Sequence, residues 1–135
     1  GCVYLMPTAT LQPDPMRHGG PALRVFLNIA RHWCLTEDEQ MRVLGVGDRA
    51  LFEEWKARAR SHEATAIQVE VLLRIGSVLS IYGSLVTLLS HERSSDWIHA
   101  PNSAFAGKSA LDVITGGQLE DLDRVARYLL AQVHG

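Results

Sequence analysis

The stretch from Ile75 to Leu89 contains no charged residue and is rich in leucine, isoleucine and valine. A helix that is apolar on most of its faces is usually the spine of a hydrophobic core or an interface between subunits. The run is shorter than the ~20 residues needed to span a bilayer, and Glu70 and Arg74 lie just before it. We therefore expect an all-α protein built around this helix, with no membrane insertion, that associates into a homo-oligomer to cover its apolar surface.

Size and composition favour one small helical protein. With 135 residues, 47% of them hydrophobic, the chain suits one compact domain or two small helical subdomains that share a core. Its formal net charge is -2, whereas a dedicated nucleic-acid binder is usually more basic. Cys2 and Cys34 lie far apart in sequence, which predicts reduced thiols in a cytoplasmic protein and not a disulfide framework.

The sequence pattern divides the chain into three predicted regions. Residues 1–20 are rich in proline and glycine and lack hydrophobic periodicity, which predicts a flexible N-terminal tail. Residues 21–60 are predicted to form a helix-turn-helix unit, and residues 61–135 a second helical unit. In the second unit, Thr65 to Gln68 have capping-box spacing for the start of the long apolar helix. Gln118 to about Val133 form a final amphipathic helix.

Three short helices are predicted between residues 21 and 60, the first from near Ala22. Thr36 to Glu39 form a capping box for the second helix, Gly45 ends it, and Asp48 can cap the third. This is helix-turn-helix spacing, although small helical cores without a DNA role often share it. The candidate DNA-binding residues on the third helix are Arg49, Phe52, Lys56 and Arg58, and Arg60 could also reach a phosphate or a guanine. Neighbouring carboxylates oppose these cations, so we expect modest, salt-sensitive binding by a single copy.

The chain shows no pattern of catalytic or metal-binding residues. Its 6 histidines have no metal-ligand spacing, either among themselves or with the cysteines. It also lacks a nucleophile elbow, a phosphate-binding loop and a dinucleotide-binding fingerprint. We expect a protein that is not an enzyme and that needs neither metal nor cofactor.

The segment from Trp97 to Asp112 has an unusual order of turn and cap signals. Pro101 disfavours helix at the residue before it, so a helix that carries Trp97 should end there. Asn102 suits a turn, and Gly107 permits a positive φ. Ser109 to Asp112 then have capping-box spacing for a new helix. On these signals alone, the segment is an ordered loop tucked beneath a pair of helices.

The same segment resembles the C-terminal toxin-binding domain of the Xre/MbcA/ParS family of bacterial antitoxins. Members carry a tryptophan, then Pro-Asn, then Gly-basic-Ser-x-Leu-Asp near the chain end after a long helix, as here in residues 97–112. The family commonly has a proline where this chain has Ala110, a change that affects only the pre-organisation of the turn. The run from Leu44 to Lys56 likewise resembles the Xre-type unit that precedes this domain in the family.

The resemblance implies an antitoxin that binds and sterically blocks a RES-domain toxin, of the kind that consumes NAD, and that represses its own operon by binding operator DNA. We expect toxin contacts from Asn102, Lys108, Tyr128, Gln132, His134 and Gly135. The residues expected to shape the motif are Trp97, Pro101, Phe105, Gly107, Ser109 and Leu111. The alternatives are a helix-turn-helix regulator whose C-terminal half only dimerises, without a toxin partner, and a purely structural helical module.

Overall fold

The computed structural model describes residues 14–135. Across this range the chain forms seven α-helices and one 3-10 turn, and no strand. The elements are α1 (Pro15–His32), α2 (Glu37–Leu44), α3 (Arg49–Arg60), α4 (Val69–Leu88), α5 (His91–His99), the 3-10 turn Ser103–Phe105, α6 (Ala110–Ile114) and α7 (Leu119–His134). The predicted all-α fold is confirmed.

Helix α4 is the spine of the structure. It packs against α1, α2, α5 and α7, while α3 packs on α1 and α6 packs on α7. Its buried positions include Ile75, Ile81 and Leu85, which belong to the same core cluster as Phe26 and Leu122. By length and composition α4 could also cross a membrane, but the core helix of a soluble protein satisfies the same criteria. The predicted central role of this apolar segment is confirmed.

Helix α1 begins at Pro15, before the predicted start near Ala22. The Asp14 carboxylate caps it by accepting hydrogen bonds from the N–H groups of Met16 (3.1 Å) and Arg17 (3.3 Å). The first turns are held by packing, because a Cβ added at Gly19 would lie 2.0 Å from the Thr65 carbonyl oxygen. The prediction of a tail is therefore wrong for residues 15–20, while residues 1–13 lie outside the described part of the chain.

The start of α4 differs from the prediction. The capping box at Thr65 is wrong: the helix begins at Val69, and the buried Thr65 hydroxyl donates to the Glu63 carbonyl instead (3.0 Å). At the other end α4 stops at Leu88, and Ser90 caps a separate helix, α5, by accepting from the Arg93 N–H (3.4 Å). The predicted boundaries of the remaining helices agree closely with those observed.

One buried cation joins the two predicted units. Arg74 of α4 is 5% exposed and donates to the carbonyl oxygens of Val43 at 3.3 Å and of Gly117 at 2.9 Å. It also pairs with Glu70 one turn earlier, at 3.1 Å. Gly45 lies against it with φ 69°, and a Cβ there would be 2.7 Å from the guanidinium carbon. The end of α2 and the start of α7 are therefore tied to the same side chain.

Candidate functional site

The loop between α5 and α6 is organised by Asn102. Its side-chain oxygen accepts from the Ala104 N–H at 2.9 Å, and its carbonyl oxygen accepts from the N–H groups of Phe105 and Gly107, each at 3.0 Å. Its own N–H donates to the Lys108 carbonyl at 3.0 Å. The expected turn at Asn102 is thus present as a closed loop whose ends are held together by hydrogen bonds.

Two consecutive residues turn the chain back towards α6. Ala106 has φ 56° and Gly107 has φ 85°, both in the left-handed region that favours glycine. Because no atom lies within 4 Å of a Cβ built on Gly107, glycine serves the backbone angle there and not close packing. An isolated antiparallel bridge from Pro101 to Ser109 then closes the base of the loop.

A capping box starts α6, as predicted. The Ser109 hydroxyl accepts from the Asp112 N–H at 3.0 Å, and the Asp112 carboxylate accepts from the Ser109 N–H at 3.3 Å. Leu111, which follows the serine, is buried in the core. These contacts tie the end of the loop to the packed part of the molecule.

Three aromatic rings connect the loop to α7. Trp97 and Tyr128 stack with centroids 6.4 Å apart, and the buried Phe105 meets the Tyr128 ring edge-on at 5.3 Å. The Arg124 guanidinium lies 5.5 Å from the centre of the Phe105 ring. Trp97 and Phe105 therefore contact each other within this cluster, at a centroid distance of 6.3 Å. Tyr128, expected to contact a partner, also belongs to this aromatic cluster and is half-buried.

The other predicted toxin contacts lie on accessible surface. Lys108 is exposed at the loop, Gln132, His134 and Gly135 are exposed at the end of α7, and Asn102 is half-buried. Gln132 follows Tyr128 by one helical turn, so it lies on the same face of α7. The Phe105–Tyr128 contact thus connects the loop to the helix face that carries the remaining candidates.

Sequence reasoning did not identify a shallow groove beside this surface. It lies between α4 and α7 and is lined by small residues such as Gly76 and Ser80, with Leu73 and Leu130 at 46% and 40% exposure. Leu73 of α4 and Leu130 of α7 thus leave apolar surface along both sides of this groove. The signal in the sequence was the presence of glycine and serine within an otherwise apolar helix.

The caps predicted for the second and third helices of the N-terminal part are present. Thr36 and Glu39 form a capping box for α2, Gly45 ends α2 in the left-handed conformation, and the Asp48 side chain caps α3 by accepting from the Leu51 N–H at 3.2 Å. Phe52, however, is fully buried in the core. The prediction that it contacts DNA is therefore wrong, because its face of α3 packs against the rest of the protein.

The predicted cations of α3 are held in ion pairs with nearby carboxylates. Arg49 pairs with both Glu37 and Asp38. Arg58 lies 3.4 Å from the carboxylate of Glu54, one helical turn earlier. Lys56 is 7% exposed and contacts Glu37 at 2.8 Å and Glu53 at 2.7 Å. Part of the positive charge expected on α3 is therefore neutralised within the chain.

These pairs also shift ionisation equilibria. The hydrogen bond from Lys56, together with the positive charge of Lys56 and Arg49, lowers the pKa of Glu37 from 4.5 to about 2. Burial acts to lower the pKa of Lys56, but its hydrogen bonds to the two glutamates outweigh that effect and leave the pKa raised. The pKa of Arg49 is raised chiefly by its hydrogen bond to Asp38. All three groups are thus held in their charged forms.

The chain is similar to one protein family and to one curated protein. The family model for the antitoxin Xre/MbcA/ParS C-terminal toxin-binding domain matches residues 84–135, which include α5, the Asn102 loop, α6 and α7. An uncharacterized protein of Sinorhizobium fredii, y4oB, is 35% identical over 132 residues, covering 90% of this chain and 98% of that protein. No solved structure matches the chain. The chain belongs to the Xre/MbcA/ParS family of antitoxins, and its C-terminal part is the toxin-binding domain of that family.

Proposed function

We propose that this antitoxin neutralises a RES-domain, NAD-consuming toxin by covering the toxin's active site. The contacting surface in this proposal is the Asn102 loop together with the exposed end of α7. The observation that supports it is the Phe105–Tyr128 contact at 5.3 Å, which holds the loop against α7 while Lys108, Gln132 and His134 stay exposed. A preformed projection of this kind suits insertion into a partner's cleft, and occlusion requires no cofactor.

Truncation after Leu129 tests the proposal. The buried stripe of α7 ends at Leu129, and the residues removed are exposed or half-buried. We expect the truncated chain to keep its helical circular dichroism and cooperative unfolding, and to lose the rescue of cell growth when it is co-expressed with the toxin. A matched control is Arg93→Ala on α5, an exposed cation outside the proposed surface. Full rescue by the truncated chain would place the inhibitory surface elsewhere.

We also propose that the N-terminal unit represses the antitoxin's own operon by binding operator DNA. Its support is the capped α2, the turn at residues 45–48 and the capped α3, which have the order and spacing of a helix-turn-helix unit. A mobility shift with the promoter of the operon, with and without the toxin, tests this function. Absence of any preference for that promoter over unrelated DNA would leave the N-terminal unit as a scaffold only.

Self-association in the cytoplasm completes the proposal. Leu73, Leu79 and Val86 of α4 are 46%, 39% and 37% exposed, which leaves apolar surface for a second copy to cover. The exposed free thiol of Cys34 suits a reducing compartment. Light scattering at micromolar concentration should show a dimer or larger species, and Leu79→Glu should shift it towards monomer. A strict monomer in the wild type would remove this part of the proposal.

A further inference from the structure

A groove on the N-terminal unit is lined by three cations. It lies between the end of α1, the turn that follows it, α2 and α3, and its charged lining residues are Arg31, Lys56 and Arg60. The other lining residues are neutral, and no carboxylate is among them: they are Leu27, Cys34, Leu35, Thr36 and Gln40. We call this feature the Arg31–Arg60 groove.

Arg31 of α1 and Arg60 of α3 differ in their ion pairing from the other cations of α3. Lys56 is paired with Glu37 and Glu53, and Arg49 is paired at the start of the same helix. Arg31 and Arg60 are exposed and form no ion pair within residues 14–135. They therefore keep their full charge and their guanidinium donors for an external partner.

The positive charge extends along α1. This helix contains no aspartate or glutamate between Pro15 and His32, and Arg17, Arg24 and Arg31 follow one another at seven-residue intervals. Seven residues are close to two helical turns, so the three cations share one face of α1 and are spaced about 10 Å apart. Arg24 holds α1 to α3 by donating to the Ala59 carbonyl at 3.0 Å.

We infer that the Arg31–Arg60 groove binds the phosphate backbone of DNA. This inference rests on the operator-binding part of the proposed function and names the surface that performs it. An extended row of guanidinium groups suits a partner whose negative charges are also arranged in a row, and arginine matches phosphate in a bidentate geometry. The groove includes the C-terminal half of α3, so phosphate contacts there would fix the register of that helix on the duplex.

The test compares charge-matched double variants of the full-length chain. Binding of a fluorescently labelled 24-base-pair duplex from the promoter is measured by anisotropy over a salt series. We expect Arg31→Gln with Arg60→Gln to weaken binding about tenfold or more at low salt. It should also reduce the slope of log K against log salt by about two, because each lost phosphate contact contributes ~0.9. Arg31→Lys with Arg60→Lys should recover most of the slope, since the charge is retained.

Two further variants carry the same change in net charge. Arg93→Gln with Arg127→Gln, on α5 and α7, should keep the wild-type slope. Arg49→Gln with Arg58→Gln tests the outer face of α3. The inference is overturned if the salt slope falls by about two in this variant and not in the groove variant, Arg31→Gln with Arg60→Gln. It is also overturned if the groove variant binds DNA normally but loses toxin neutralisation, which would make the groove a protein-docking site.

The outcomes separate this inference from the function on which it rests. Promoter binding by the wild type with an unchanged slope in the groove variant rejects the groove and leaves operator binding intact. Failure of the wild type to bind the promoter at any salt concentration rejects both. Retained toxin neutralisation by the groove variant shows that it is folded.

Discussion

Replacing Arg74 by methionine should strongly destabilise the protein. Methionine keeps much of the apolar stem but removes the donors to the Val43 and Gly117 carbonyl oxygens, at 3.3 Å and 2.9 Å. Hydrogen bonds to charged groups contribute about 1.5–3 kcal/mol each, so losing both should cost about 3–6 kcal/mol. That is a large fraction of the ~5–15 kcal/mol that stabilises a typical small protein.

Urea unfolding followed by helical circular dichroism measures this loss as a fall in the transition midpoint at constant slope. Glu70→Gln is the matched control, because the Glu70 side chain is 66% exposed and its pairing with Arg74 within one helix is worth at most about 0.5 kcal/mol. If Arg74→Met stays within about 1 kcal/mol of the wild type, or matches the control, Arg74 does not tie α2 to α7.

Three smaller predictions concern single positions. The pKa of Glu37 is lowered from 4.5 to about 2, so its stabilising effect is complete above pH 4.5 and is lost as the pH falls towards 2. Glu37→Gln should therefore reduce the dependence of the free energy of unfolding on pH in that window, and an unchanged dependence would contradict the pairing. Gly107→Ala places a Cβ at φ 85° and should lower the free energy of unfolding, measured by thermal denaturation, by about 1–2 kcal/mol, and an unchanged value would contradict the need for glycine there. Gly83 lies inside α4 with open space around a Cβ, so Gly83→Ala should raise the stability of the monomer by up to about 1 kcal/mol, and a loss would reveal a hidden contact.

The sequence was most informative where a structure depends on neighbouring residues. The capping boxes at Thr36 and Ser109 and the cap at Asp48 involve side chains and N–H groups at most three residues apart, and all three were predicted. The Asn102 turn and its left-handed glycine at 107 are also local, and both were anticipated.

Features that depend on distant contacts were missed. Helix α1 begins at Pro15 with a local signal, the Asp14 cap, which was overlooked; the packing of Gly19 against Thr65 is the distant contact that no local pattern shows. The break between α4 and α5 has a weak local signal, since Ser90 is followed three residues later by Arg93 and not by glutamate or glutamine. Phe52 was assigned to the wrong side of α3 because only the packing of α1 on α3 shows which face is buried.

The hydrogen bonds of Asn102 have a consequence for the kinetics of recognition. Ordering one residue of a flexible loop costs about 1–2 kcal/mol of conformational entropy, which a partner must otherwise supply when it binds. The backbone from Asn102 to Lys108 is already ordered by hydrogen bonds of 2.9–3.2 Å within the chain. A partner therefore meets a rigid projection, association needs no loop rearrangement, and differences in affinity between partners should arise mainly in the dissociation rate.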